Sequence, residues 1–593
     1  MDRNVILFIA LTALVIIGWD SLVLKPQQEA YRAQQQAAAE EAEKKAPSVV
    51  VPETASGTAP EELSIEDALA KAPGRIAIDT PSLVGSINLA GGRIDDLSLK
   101  NYRETLDPNS PIIRLLSPEH TAEGQYVEEG WIIAAGDARE QTSALNWSAP
   151  ENAKLTPSTP VTLTARSGGF VYTKIISVDD KFMFTVNQSV KNETGVAARV
   201  LPYGIVVQRG IPEGAGRYSI LQEGPIGVLG PQLIQRKYKK ALTAKVEETG
   251  EKGWVGITNK YWLAAVAPPQ DETFTIRMRN KGTDKEPVFQ ADYSLQERSL
   301  QPGATSHATT YAFAGAKKVS VLKGYEKALD KDGKYGIWDL DRSVDWGNLF
   351  FLTRPIFFLL DFFGTHIGNF GVAILVLTLV IKLLMFPFAN KAFESMSRMK
   401  KVQPKVEDLK KQCGDDKVLL QKEMMALYQR EKINPVAGCL PVIIQIPIFY
   451  ALYKTLFVTI ELRQQPFILW IKDLSAPDPT SIFNLFGLLP FDPSHVPLLS
   501  ALPQIGVLPL IYGVVMWLQT QLNPPASDPT QRQVMLMMPF IFVFLFAGFA
   551  SGLVLYWLWS GILSVAQQWY IMHRNGVEVH LAEKIPFIGG KKA

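Results

Sequence analysis

The sequence predicts a multi-domain chain: an exported all-β domain joined to a polytopic α-helical membrane domain that crosses the bilayer six times. Three observations predict it. Apolar stretches of bilayer-crossing length gather after about residue 345 and at the N-terminus, while residues 25–340 are polar. The polar half is punctuated by short β-branched and aromatic runs with Gly and Pro between them. The Lys/Arg-rich segments all fall on one side of the membrane if there are six spans. A net charge of only +2 over 593 residues carries no nucleic-acid signature.

Residues 1–24 read as a signal anchor, Met1-Asp-Arg-Asn leading into an apolar run from Val5 to Trp19. No small-x-small site or lipobox cysteine follows it, which predicts an uncleaved anchor. Residues 25–74 form a flexible linker, first rich in Ala, Gln and Glu and then in Pro, Thr and Ser; the first part suits a polar helix and the second disorder. Residues 75–340 read as a β-sandwich domain ending in a helix over Ala316–Leu329. Its clearest signal is a hairpin, Phe170–Val178 and Phe182–Val190 about Asp179-Asp180-Lys181. Strands at Thr273–Met278 and His307–Phe313 follow. Neither cysteine of the chain (Cys413, Cys439) lies in this domain, and no metal or nucleophile spacing marks it, so it reads as a binding or scaffolding module.

Residues 341–366 carry Phe350, Phe351, Phe357, Phe358, Phe362 and Phe363 interrupted by Arg354, Pro355 and Asp361. That pattern is too charged to span and predicts an amphipathic helix in the outer interface. Residues 367–573 form the membrane core, with spans near 370–388, 438–458, 504–520, 534–549 and 551–572. Between the first two lies a loop, 390–435, with eleven Lys/Arg. Phe393, Met396, Met399 and Val402 recur at three-residue steps, Pro404 suits the first turn of a new helix, and Leu420, Met424 and Tyr428 follow the turn at Gly414-Asp415-Asp416. The segment predicts a helical hairpin whose methionines either pack it together or offer adaptable apolar contacts. With a short, mildly basic tail at 574–593, both termini and the hairpin are placed on the cytoplasmic side and the β domain on the opposite face.

One residue stands out against this background. Lys382 lies well inside the run Phe370–Phe388, with Thr378 one turn earlier on the same helix face. A lysine at such a depth costs about 2.5–3.5 kcal/mol on insertion scales, so it pairs with a carboxylate, lines water or snorkels to the surface. No Asp or Glu occurs in the other spans. Gln445, Gln519, Ser560, Gln567 and Gln568 decorate the later spans, and prolines at 441, 447, 503, 509 and 539 free backbone carbonyls. Together these point to a hydrophilic groove, although polar residues also hold helices together. No P-loop is present and all six histidines lie outside the spans, which argues against an ATPase, a proton-coupled pump or an enzyme. A route for anions past Lys382, and a passive scaffold anchored by its helices, stay open at this level.

Several longer stretches resemble one family. Ile433-Asn-Pro-Val-Ala-Gly-Cys-Leu-Pro-Val-Ile-Ile-Gln-Ile-Pro-Ile-Phe449, Glu461-Leu-Arg-Gln-Gln-Pro-Phe-Ile-Leu-Trp-Ile-Lys-Asp-Leu-Ser475, Ser551-Gly-Leu-Val-Leu-Tyr-Trp557 and Trp254-Val-Gly-Ile-Thr-Asn-Lys-Tyr261 are similar to motifs of the YidC membrane protein insertases, of the Gram-negative type. The resemblance implies a five-helix insertase core behind a signal anchor, a periplasmic β-supersandwich, and no cofactor. It implies nascent membrane proteins, the lipid bilayer and the Sec translocon as partners, and leaves ribosome binding open. It places the family's groove arginine at Lys382, with Thr378 and Gln445 beside it. A client-contacting slide is placed at Ile446, Pro447, Leu545 and Phe546. Trp557 stands where the family has tyrosine and Ala550 where it usually has proline. Client contact by the hairpin would fall to Met396, Met399 and Met424.

Overall fold

The computed structural model describes residues 62–576, apart from 136–137, 217–219, 328–335, 415, 432–439, scattered positions between 490 and 501, and 524–528. The anchor, most of the linker and the basic tail lie outside the described residues. The chain divides into two compact units, Ala13–Asp345, and Trp346–Ala593 with Met1–Thr12.

In the first unit the described residues build a 12-stranded and an 8-stranded sheet, almost wholly antiparallel. The expected hairpin is there, pairing Phe170–Val178 with Met183–Asn192. The Asp179 carboxylate closes its turn by accepting from the backbone N–H of Lys181 and Met183, at 2.9 and 3.0 Å. The first of these strands buries every second residue, as a strand with one face on a core must. The strand Gln125–Ala135 is buried along almost its whole length, so its polar residues have to find partners inside. Tyr293 donates to Glu129 at 2.7 Å. The Lys174 ammonium donates to the carbonyls of Gly92 and Glu129, at 3.0 and 2.6 Å, and sits 4.7 Å above the Trp147 ring. Burial pushes the Glu129 carboxyl up to about 8 and pulls Lys174 down to about 8. The closing helix, Val319–Lys327, turns Val319, Val321, Leu322 and Tyr325 inward.

The linker's end departs from the expectation of disorder: Ile65–Ala70 is a helix. Ser64 caps it, accepting from the Asp67 N–H at 3.1 Å, with Glu66 and Asp67 in the first turn. Such a cap with acidic residues behind it favours a helix even in a Pro- and Ser-rich neighbourhood.

The second unit is helical: α1 (Phe350–Ile367), α2 (Phe370–Cys413), α3 (Lys417–Arg430), α4 (Leu440–Val458), α5 (Val507–Leu522), α6 (Pro529–Phe546) and α7 (Ser551–Arg574). The spans expected from 370 onward fall on α2, α4, α5, α6 and α7. Among the described residues only α1 and α2 are both long and apolar enough to cross a membrane; α5 and most of α6 are apolar but shorter. That α1 passes this test departs from its reading as too charged to span. Its packing is one-sided all the same: Ile356, Phe357 and Leu360 are buried while Phe351, Phe358 and Phe362 are exposed.

Pro404 does not begin a new helix. α2 runs unbroken for 44 residues through Pro387 and Pro404. A proline there forfeits one backbone bond and strains one turn, but Val402 and Val406 are buried on either side of it and hold the same face down. The turn expected at 414–416 does end the helix. Gly414 takes φ 53°, and Asp416 caps α3 by accepting from the N–H groups of Val418 and Leu419. The core of the unit gathers Ile374 and Leu377 of α2, Leu452 and Leu456 of α4, Leu508 and Tyr512 of α5, and Leu553–Tyr556 of α7. Gly371 is required there, because a Cβ would stand 2.0 Å from the Phe467 ring.

Candidate functional site

Lys382 faces a cavity of about 450 Å³ enclosed by α2, α4, α5, α6 and α7. α2 brings Lys382, Met385, Phe393 and Met396 to it, and α4 brings Gln445, Ile446 and Phe449. α5 and its C-cap add Met516, Gln519, Thr520 and Asn523, α6 adds Met535, Met538 and Phe542, and α7 adds Trp557, Ser560, Ser564 and Gln567. The i, i+3, i+7 spacing of 557, 560, 564 and 567 explains why one face of α7 supplies four of them.

The polar groups are tied to one another across the helices. The Lys382 Nζ donates to Ser564 Oγ at 2.8 Å. Ser564 in turn donates to the Ser560 carbonyl at 2.8 Å. Gln445 of α4 donates through Nε2 to the Tyr556 hydroxyl of α7. Gln568 donates to Asn523 at 3.1 Å, joining α7 to the end of α5. Among the described residues no carboxylate lies within ion-pair reach of Lys382, so its charge is solvated by hydroxyl oxygen and by whatever enters the cavity. An aromatic cluster packs beside these groups. Trp557 lies 4.6 Å from Phe449, 5.5 Å from Phe546 and 6.0 Å from Tyr512, ring centre to ring centre.

The residues singled out from sequence separate. Lys382, Gln445, Ile446, Trp557 and Met396 line the cavity together. Ile446 is also 59 % exposed, which puts it at a lateral mouth. Thr378 is not a lining residue: it is buried among α2's neighbours and gives its hydroxyl to the Ile374 carbonyl at 2.6 Å. Phe546 is buried against Tyr512 and Trp557 while its neighbour Leu545 is exposed on the outer face, because consecutive helical residues point about 100° apart. Pro447 is half-buried next to Ile446. Met399 and Met424 are half-buried outside the cavity.

Sequence reasoning passed over Ser564, Tyr556 and Asn523. A serine or tyrosine in an apolar helix reads as packing until its partner on another helix is known. It also passed over the methionines at 385, 516, 535 and 538, which look like core. Lys454, the single lysine of α4, is almost fully buried and does not line the cavity.

These features define a class, an α-helical integral membrane protein with a polar, cationic cavity in its helical core and a large all-β domain attached. The family model described as 60Kd inner membrane protein matches residues 362–578, and that of the YidC periplasmic domain matches residues 75–359. The membrane protein insertase YidC of Rhizobium meliloti (strain 1021) is 45% identical over 603 residues, covering 100% of this chain and 99% of the relative. That of Caulobacter vibrioides (strain NA1000 / CB15N) is 44% identical over 610 residues, covering 100% and 99%. A crystal structure of an active YidC insertase with its first transmembrane domain resolved is 18% identical, covers 84% of this chain and 92% of its own, and gives a TM-score of 0.36. The chain belongs to the YidC family of membrane protein insertases.

Proposed function

We propose that this protein inserts nascent membrane proteins into the inner membrane by taking their polar or acidic segments into the Lys382 cavity. The observation that carries the reading is a lysine with no carboxylate partner among the described residues, lining a 450 Å³ cavity whose other walls are Met, aromatic and amide side chains. An ammonium there lowers the cost of bringing a client carboxylate into the membrane. The methionines bend to fit varied apolar sequences. Ile446, Pro447 and Leu545 then offer the client span an apolar path outward. Moving about 20 apolar residues into lipid, at about 0.3–0.6 kcal/mol each, releases on the order of 10 kcal/mol, which drives the step without a nucleotide.

The arrangement we infer has six spans, the anchor at 1–24 plus five in the core, with α1 lying in the outer interface. Both termini and the 390–435 hairpin are cytoplasmic, the β domain is periplasmic, and the protein acts alone or with the Sec translocon. The eleven basic residues of 390–435 support this orientation. Single cysteines at Lys411 and Gly303 test it: an impermeant thiol reagent outside spheroplasts labels the second and not the first, and the reverse pattern refutes it. The insertion reading is tested with vesicles holding only this protein and a one-span client. Insertion supports it, and a solute conductance without insertion refutes it.

A further inference from the structure

The cavity's cation is held by the hydroxyl oxygen of one serine on α7. Lysine has a flexible four-carbon stem and three N–H donors. Inside a membrane it relaxes toward the nearest polar surface unless something holds it at depth. The Ser564 hydroxyl has one proton, and that proton is committed to the Ser560 carbonyl at 2.8 Å. What Ser564 turns toward α2 is therefore lone-pair density only, and the Lys382 Nζ meets it at 2.8 Å. Both serines are at least nine-tenths buried, so little of the acceptor is open beyond the cavity face. Among the described residues this is the one hydrogen bond of the ammonium, which leaves its other two N–H groups for an occupant of the cavity.

We propose that Ser564 is the positioning residue for the Lys382 charge. It fixes the ammonium on the α7 wall at the level of Trp557–Ser564, so that the charge selects clients by the carboxylates they carry and does not drift to the membrane surface. This rests on the reading that Lys382 receives acidic client segments. A planar guanidinium brings its own rigidity, whereas a lysine at this position needs the fixed acceptor to hold its place.

The test uses the full-length protein in vesicles and two one-span clients that differ only in a translocated tail with no Asp or with two. In S564A the acid-to-neutral insertion ratio falls about 10-fold, the low end of what losing one hydrogen bond to a charged group costs. S564T, which keeps the acceptor, restores the ratio. K382Q abolishes the acid preference, and S564A adds nothing to K382Q, because the two act through one contact. If S564A does not accumulate, Ser564→Cys replaces it, with sulfur a weaker acceptor, and the same drop is expected. An unchanged acid-to-neutral ratio in S564A alongside a collapsed ratio in K382Q overturns the positioning role and leaves the insertion reading standing. A ratio unchanged in both overturns the electrostatic reading and the positioning role with it.

Discussion

Replacing Lys382 separates attraction by charge from support by packing. The ammonium lies in a cavity with no counter-carboxylate among the described residues, so a client carboxylate meets an unneutralised charge. At about 4 Å and an effective dielectric near 20 the pair attracts by about 4 kcal/mol. Desolvating both groups removes part of that, and hydrogen bonds to charged groups retain about 1.5–3 kcal/mol net. At about 1.4 kcal/mol per tenfold, Lys382→Met slows insertion of a client with an acidic translocated tail by between about 10- and 150-fold. Lys382→Glu slows it further, since the sign of the interaction reverses. A client with a neutral tail proceeds at close to the parent rate in both. The assay is protease protection of radiolabelled clients in proteoliposomes, with the melting temperature of each variant as the folding control. Equal slowing of acidic and neutral clients rules out attraction by charge and makes Lys382 a packing residue. Undiminished insertion of the acidic client in Lys382→Glu rules out the attraction too.

Other outcomes follow from the packing and from the β domain. Glu129 has its folded carboxyl raised from 4.5 to about 8, so the folded state binds a proton that the unfolded chain releases; stability falls as pH rises from about 4.5 to 8. In Glu129→Gln that fall is flattened by up to a few kcal/mol, read by urea titration of the full-length protein with tryptophan fluorescence at pH 5 and pH 8. Gly371→Leu forces side-chain atoms into the Phe467 ring, 2.0 Å from the first added carbon, and lowers the melting temperature in detergent by several degrees. Leu377→Ala empties a fully buried position of the helical core and costs about 2–5 kcal/mol, seen as an earlier midpoint in denaturant.

What the sequence made legible depended on how local each signal is. The Asp179 hairpin was readable because turn and strands are contiguous and the carboxylate caps its own turn. Lys382 was readable because one charge in an apolar run has few explanations. The division of α6 into a buried Phe546 and an exposed Leu545 was not, since both are equally apolar and only the neighbouring helices decide which points inward. Thr378 shared a helix face with Lys382 on spacing alone, but its hydroxyl bonds to its own helix, a local alternative that spacing does not reveal. The course of α2 through Pro404 was hidden because the burial of Val402 and Val406 outweighs a local break signal. The contact of Ser564 with Lys382 was hidden because the two lie 182 residues apart in sequence and meet only through the packing of α7 on α2.

Passage of clients through the cavity is read by a photo-crosslinker placed at Gln519, which lines the cavity, and in a second preparation at Thr378, which is buried outside it. Each purified protein is reconstituted alone in vesicles with a one-span client stalled part-way across. The unmodified control inserts the client, and Gln519 crosslinks to it while Thr378 does not. Insertion with no crosslink from Gln519, or with crosslinks from Thr378 alone, would contradict passage through the cavity.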